Sequence, residues 1–256
     1  MHTIRPLVLF RTVFFFGAET FRRTFNPRIK FSLLVKQMEF VGNKSIAVVL
    51  MAGVMIGAVF GLQFGEIFKI FGAESLIGAS AAYALCRELA PVICAFLVTA
   101  RAGSAMAAEI ATMRVNEQID AMNVMAVNPY NYLVAPRVWA SIIMLPLLTI
   151  LFVIAGVLAS YILGIVIYDV DKGIFIEKIQ TIVKPLYVWQ GLQKAAIFGA
   201  VLSLTGCYKG FHAGGGAKGV GRATTQAVVI SLVTVLILDF FISYIQYQQG
   251  LNSDGK

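Results

Sequence analysis

Residues 46–64 read IAVVLMAGVMIGAVFGLQF, a stretch with no charged side chain. A helix crossing the hydrocarbon of a bilayer needs about 20 predominantly apolar residues, so this segment is expected to span. The rest of the chain has the same character: of 256 residues, 59% are hydrophobic and 13% charged, and the mean hydropathy is +0.81. Soluble domains carry roughly one-quarter charged residues. The sequence therefore predicts an all-α integral membrane protein. No polar block is long enough to fold alone, so one domain over 1–256 is expected, with 1–44 as interfacial or elbow helices and 45–249 as a transmembrane bundle.

Outward from that first span, four more segments qualify, giving about five transmembrane helices. The second runs from about Leu76 to Met113 and is interrupted by Arg87, Glu88 and Arg101. The third, 138–168, is uncharged throughout and long enough to cross with tilt or to kink at Pro146. The fourth covers about 187–208 and contains Lys194; the fifth, 223–246, contains Asp239. Before the first span, MHTIRPLVLFRTVFFFGAET has a charge followed by an apolar run, but Arg11 breaks the run and no A-x-A site follows. An uncleaved N-terminal interfacial helix is expected there. Further on, Phe31, Leu34, Val35 and Met38 share one helical face while Ser32, Lys36 and Glu39 take the other, which predicts an elbow helix.

Lys and Arg near the span ends set orientation. Arg5, Arg11, Arg22, Arg23, Arg28, Lys30, Lys36 and Lys44 precede the first span, against Glu19 and Glu39. The N-terminus is therefore expected in the cytoplasm, together with 113–129 and 208–222, and the C-terminus on the outer, periplasmic face. The formal charge of +8 then reports topology and anionic lipid, because no basic patch interleaved with aromatics argues for nucleic acid.

Residues 113–129, MRVNEQIDAMNVMAVNP, are a polar island between apolar stretches. On a helical wheel Val115, Ile119, Met122 and Ala126 form one stripe and Asn116, Asp120 and Asn123 another. A short amphipathic helix over about 115–127 is expected, with Asn116 as N-cap, Glu117 in its first turn and Asn128-Pro129 as its stop. Two readings fit: a solvated connector resting on headgroups, or a cytoplasmic coupling helix that docks in a partner's groove.

Arg87, Glu88, Lys194 and Asp239 lie in apolar segments, where a charge needs a partner or water. Arg87 and Glu88 either snorkel at the mouth of the second span or, with Lys194, surround a cavity for a charged headgroup. Asp239 is expected to be structural, paired with a neighbouring cation. In ARAGSAMAAEI, 100–110, Ala100, Ser104 and Ala108, with Gly103 and Ala107, are spaced for close helix approach, and an Arg101–Glu109 link is conceivable. The glycine-rich GFHAGGGAKGVGRATT, 210–225, lacks the G-x-x-x-x-G-K-[ST] order of a P-loop, since Lys218 precedes Gly219, and predicts a turn. His212 has no second ligand at metal spacing, and Cys86, Cys94 and Cys207 sit in or beside apolar segments. No metal site, cofactor or catalytic constellation is expected: the chain is not read as an enzyme.

RELAPVICAFLVTARAGSAMAAEIATMRVNEQIDAMNVMAVNPYNYLVAPR, 87–137, closely resembles the signature region of MlaE-like ABC permeases, and GGGAKGVGRATTQAVV, 214–229, extends the match. Ala90 stands where that family often has Gly, and Asn128 where it often has Asp. The resemblance implies a permease subunit, located in a bacterial inner membrane, that moves glycerophospholipids between inner and outer membranes and maintains outer-membrane lipid asymmetry. It also implies a homodimer with a cytoplasmic ABC ATPase that binds the ATP, a STAS-domain protein and a periplasmic MCE-domain hexamer. By position it assigns Glu117, Gln118, Asp120 and Met122 to the coupling helix, and Arg87, Glu88 and Lys194 to the lipid cavity. The residues alone also admit an ion-coupled secondary transporter of a lipid or amphiphile, with Glu88, Lys194 and Asp239 as relay groups.

Overall fold

The computed structural model describes residues 31–254, and no strand occurs among them. The expected interfacial helix at the N-terminus lies outside the described residues. In chain order the helices are α1 (Phe31–Val41), α2 (Asn43–Ile70), α3 (Ile77–Ala84), α4 (Ala90–Val98), α5 (Ser104–Val115), α6 (Gln118–Val124), α7 (Ala135–Val166), α8 (Lys172–Ile182), α9 (Pro185–Phe211) and α10 (Gly216–Asp254). A 3₁₀ turn at Glu74–Leu76 leads into α3, and wide π turns occupy Leu85–Leu89, Thr99–Gly103 and Tyr130–Val134.

Two of the π turns have a covalent cause. Pro91 and Pro136 have no N–H to offer the carbonyl four residues back, and each stands two residues past the end of its turn. The bond shifts instead: Ala90 N–H reaches Leu85 O, and Ala135 N–H reaches Tyr130 O. The third has no proline. There the Ser104 hydroxyl donates to the Ala100 carbonyl and, at 2.9 Å, to the Arg101 carbonyl.

Among the described residues, four helical segments are long and apolar enough to cross a membrane: Phe31–Ile70, Glu74–Val115, Tyr130–Val166 and Gly216–Gln249. The remaining expected span, 187–208, is helical within α9 but is not among these four. Pro146 lies inside α7, which continues through it.

The chain forms two compact units. One contains the described residues up to Asn43, with Val98–Met144 and Ile197–Val235; the other contains Lys44–Leu97, Leu145–Ala196 and the residues from Leu236. In the first, Ile110, Ile119, Met122, Leu133, Val134, Val138 and Cys207 form a buried cluster, joined by Tyr130 stacked on Phe211 at 5.3 Å. The small residues of 100–110 divide: Gly103 and Ala107 are buried, and Ala100 is exposed. A Cβ on Gly210 would meet Ile110 Cβ at 2.7 Å and the Ala107 carbonyl at 3.0 Å, so close approach is the role of this stripe.

In the second unit, α2 buries Gly53, Gly57, Gly61 and Gly65, and exposes Met51, Met55, Val59 and Leu62. This is the reverse of a soluble helix. Small residues let backbones touch, and the large apolar ones are left for lipid or another apolar surface. A Cβ on Gly57 would lie 2.1 Å from the Gly156 carbonyl oxygen, so α2 and α7 cross there with nothing between them. Ile77, Val170 and Phe175 form a buried cluster in this unit, the last meeting Tyr161 edge-on at 5.2 Å. Asp171 caps α8 by accepting from Gly173 N–H at 2.8 Å and Ile174 N–H at 3.1 Å.

Candidate functional site

Lys194 is completely buried, and three groups meet its ammonium: Glu88 Oε2, Ser243 Oγ at 2.6 Å and Asp239 Oδ1 at 3.1 Å. Ser243 in turn donates to Glu88 Oε2 at 3.0 Å. The cluster follows from local spacing. Asp239 and Ser243 are four residues apart on α10 and so share a face. On α9, Gly191 lets the helix come against the turn at Leu85–Leu89, because a Cβ there would lie 2.0 Å from the Cys86 carbonyl oxygen. Lys194, about one turn further on, then stands opposite Glu88.

Arg87 extends the cluster outward. Its guanidinium donates to the Tyr83 hydroxyl, one turn earlier, and lies 5.6 Å from the ring centroids of both Tyr83 and Tyr187. Those rings meet edge to face at 5.0 Å, and Arg87 Nε is 3.7 Å from Glu88 Oε1. Two formal cations therefore balance two carboxylates. Burial decides what each contributes: Lys194 is inaccessible, Arg87 is 15% exposed and Glu88 38% exposed. Asp239 is 21% exposed, so Glu88 is the most accessible member, Asp239 and Arg87 are partly accessible, and only Lys194 is closed off.

The structure thus brings together Arg87, Glu88 and Lys194, and adds Asp239, which pairs with Lys194 as the sequence suggested. Tyr83, Tyr187 and Ser243 escaped the sequence reading. The four-residue spacings Tyr83–Arg87 and Asp239–Ser243 were the signal for two of them.

The polar island makes a different kind of site. Helix α6 covers only Gln118–Val124, shorter than the expected 115–127, because both ends use left-handed residues. Asn116 is not its N-cap; it terminates α5, and Glu117, at φ 58°, begins α6 with no side-chain cap. At the other end Ala126, also at φ 58°, forms a Schellman stop: Val127 N–H reaches the Met122 carbonyl at 2.9 Å and Ala126 N–H the Asn123 carbonyl at 3.1 Å. Asn128 belongs to the next turn, its side-chain oxygen accepting from Tyr130 N–H at 3.0 Å.

Ile119 and Met122 anchor α6 in the buried cluster, while Glu117, Gln118, Asp120 and Asn123 are exposed, together with Val124 and Met125. Asp120 pairs with Arg114 at the end of α5. Met122 therefore holds the helix from beneath, and Val115 and Ala126, expected on the same stripe, are half-buried and exposed.

The Arg101–Glu109 link is not formed. Glu109 pairs at 2.8 Å with Arg137, a buried cation not singled out from the sequence, which also donates to the Leu133 carbonyl. Arg101 donates to the carbonyls of Phe40 at 2.7 Å and Val41 at 3.4 Å, satisfying the last turn of α1 with a cation. The three cysteines are buried and free.

Comparison with known proteins identifies relatives over most of the chain. The family described as Permease MlaE matches residues 34–245. A protein of Rickettsia felis named "Probable ABC transporter permease protein" is 42% identical over 85% of this chain and 84% of its own. The chloroplastic protein TRIGALACTOSYLDIACYLGLYCEROL 1 of Arabidopsis thaliana is 38% identical over 88% of this chain and 65% of its own. The "Intermembrane phospholipid transport system permease protein MlaE" of Haemophilus influenzae is 37% identical over 88% and 87%. With helices long enough to cross a bilayer, a charge cluster set among them and a match over most of its length, the chain belongs to the MlaE family of ABC transporter permeases.

Proposed function

We propose that this protein is the membrane subunit of an ABC transporter that moves glycerophospholipids between inner and outer membranes, driven by ATP hydrolysis in a separate subunit. The observation that carries the coupling half is α6: a short helix anchored by two apolar side chains, with its acidic and polar groups presented outward. Glu117, Gln118 and Asp120 are its contacts with the ATPase; Met122 fixes its height. The substrate half rests on Arg87 and Glu88, two partly accessible members of the Lys194 cluster. A guanidinium suits a headgroup phosphate, and a carboxylate beside it suits an ammonium. The printed name of the Haemophilus relative supports phospholipid as cargo.

The topology we assign has five crossings, a cytoplasmic N-terminus and a periplasmic C-terminus in a bacterial inner membrane. The excess of Lys and Arg before the first span and in 208–222 supports it. The loops expected on the cytoplasmic side, 113–129 and 208–222, fall in the same unit. Two copies of the chain, a STAS-domain protein and an MCE-domain hexamer complete the assembly, and maintenance of outer-membrane lipid asymmetry is its role.

The test is ATP hydrolysis by the permease reconstituted with its ATPase. Changing Glu117 and Asp120 together to Lys should lower permease-stimulated hydrolysis about tenfold, while Asn123→Ala leaves most of it. Stimulation unchanged in the double variant would defeat the coupling assignment. A second reading has one observation in its favour: Glu88, Lys194 and Asp239 form one connected chain of ionisable groups, as a proton relay requires. Lipid movement by the isolated chain, driven by a proton gradient with no ATPase present, would select that reading.

A further inference from the structure

Between α9 and α10 lies a pocket of about 170 Å³, lined by Tyr208, Lys209, His212, Gly214, Arg222 and Gln226 among others. Neither role above uses it. Lys209 is only 8% exposed, yet it makes no ion pair among the described residues; it donates to Gln226 Oε1 at 3.2 Å and lies 5.9 Å from the Tyr208 ring centroid. A buried ammonium satisfied by a neutral amide and an aromatic face lacks the counter-charge that such burial ordinarily demands. Arg222 is exposed on the same pocket and likewise forms no ion pair among the described residues.

The backbone adds to this. Helix α10 begins at Gly216, so its unpaired N–H groups and positive dipole end are beside the pocket. The approach depends on Gly219, where a Cβ would lie 1.8 Å from the Gly214 carbonyl oxygen. Among the described residues, no acidic side chain lines the pocket. Lys209 and Arg222 also flank the apolar stretches 187–208 and 223–246. On the five-crossing topology proposed above, they fall at the depth of the lipid phosphates, where basic pockets between helices take up headgroups.

We propose that this pocket binds a phosphate group, either that of an anionic phospholipid headgroup or free inorganic phosphate, with Lys209 as the buried counter-charge and Arg222 as the outer clamp. It is separate from the transported lipid's site at Arg87 and Glu88.

The full-length protein in maltoside micelles is titrated calorimetrically with inorganic phosphate and, separately, with short-chain phosphatidylglycerol at constant ionic strength, with short-chain phosphatidylcholine as reference. The variants are Arg222→Gln, whose side chain is exposed and so leaves packing intact, Lys209→Met, and Lys218→Gln as a nearby cation outside the pocket. Saturable binding of a probe by the wild type and Lys218→Gln, weakened at least tenfold in Arg222→Gln and lost in Lys209→Met, is expected. Binding of inorganic phosphate as tight as that of phosphatidylglycerol identifies the free ion; binding of the lipid alone identifies the headgroup. Equal binding by wild type and Arg222→Gln, or no binding of either probe to the wild type, overturns the proposal. So does a result in which neither probe binds and Arg222→Gln instead weakens association with the ATPase, which would make the pocket a protein contact.

Discussion

Two polar interruptions break the apolar sequence of this permease, and they are stabilised in opposite ways. Around Lys194 the charges satisfy one another: an inaccessible ammonium holds two carboxylates and a hydroxyl drawn from the turn at Leu85–Leu89 and from α10. At α6 the polar groups satisfy almost nothing within the chain, and the helix is retained by Ile119 and Met122 beneath it. The first region is fixed from within and exposes only its edge. The second is fixed from below and exposes its whole polar face. In the function proposed above, the first is a rigid polar feature among apolar helices and the second a polar platform for the ATPase.

That contrast can be broken by removing what holds each region. Lys194→Met leaves Asp239 without its cation and Glu88 with Arg87 alone; loss of one partner from a fully buried pair costs about 3–5 kcal/mol, and the accessibility of Glu88 brings the cost here to the low end. Thermal unfolding in detergent should show the largest drop of any variant here, largely restored when Glu88→Gln and Asp239→Asn are added. If the triple variant is no more stable than Lys194→Met, the cluster is not held by charge balance. Gly57→Ala pushes a methyl into the Gly156 backbone. Overpacking of this kind costs about 1–3 kcal/mol, so its unfolding midpoint should fall by a smaller step, independent of salt.

Ile119→Ala should cost about 2 kcal/mol, the low end for a buried Ile, because so short a helix can settle into the space. Its signature is a loss of permease-stimulated ATP hydrolysis larger than that stability change implies, which equal losses in stability and stimulation would refute. Asp120→Ala removes an exposed ion pair with Arg114, worth at most about 1 kcal/mol, and its midpoint should hardly move. A comparably small effect has the opposite sign. Ala126 is held at φ 58°, a conformation costing roughly 1 kcal/mol for a residue with a Cβ, so Ala126→Gly should be slightly more stable.

The sequence made the apolar spans and the existence of a helix in 113–129 legible, because hydropathy and wheel periodicity are local. It also placed Arg87, Glu88, Lys194 and Asp239 as charges needing partners. What it could not supply was the pairing. Glu88 and Lys194 are 106 residues apart, and only the approach of α9 at Gly191 makes them neighbours. The Arg101–Glu109 expectation failed for a related reason: a wheel shows that two residues share a side of one helix, whereas Phe40, Val41 and Arg137, from other elements, offered better geometry. The ends of α6 were misjudged because Asn was credited as a cap at Asn116, while the chain used two non-glycine residues in left-handed conformations, for which composition carries almost no signal. The glycines of α2, four residues apart from Gly53 to Gly65, were visible in the sequence as a contact stripe and were overlooked.

The turn at Leu85–Leu89 has a consequence for phase. A π turn contains one residue more than the α-helix on either side, and one residue corresponds to about 100° of rotation about the axis. Helix α4 is therefore out of step with α3, as if the screw had been slipped by more than a quarter turn. Before the slip, Gly78 faces the Phe175 ring; after it, Pro91 meets Gly191, and Cys94 the carbonyl of Leu148. A regular helix through this segment would present one continuous stripe and serve one line of neighbours. By inserting a residue ahead of Pro91, the chain makes a single crossing address α8 with one part of its length and α9 and α7 with the next.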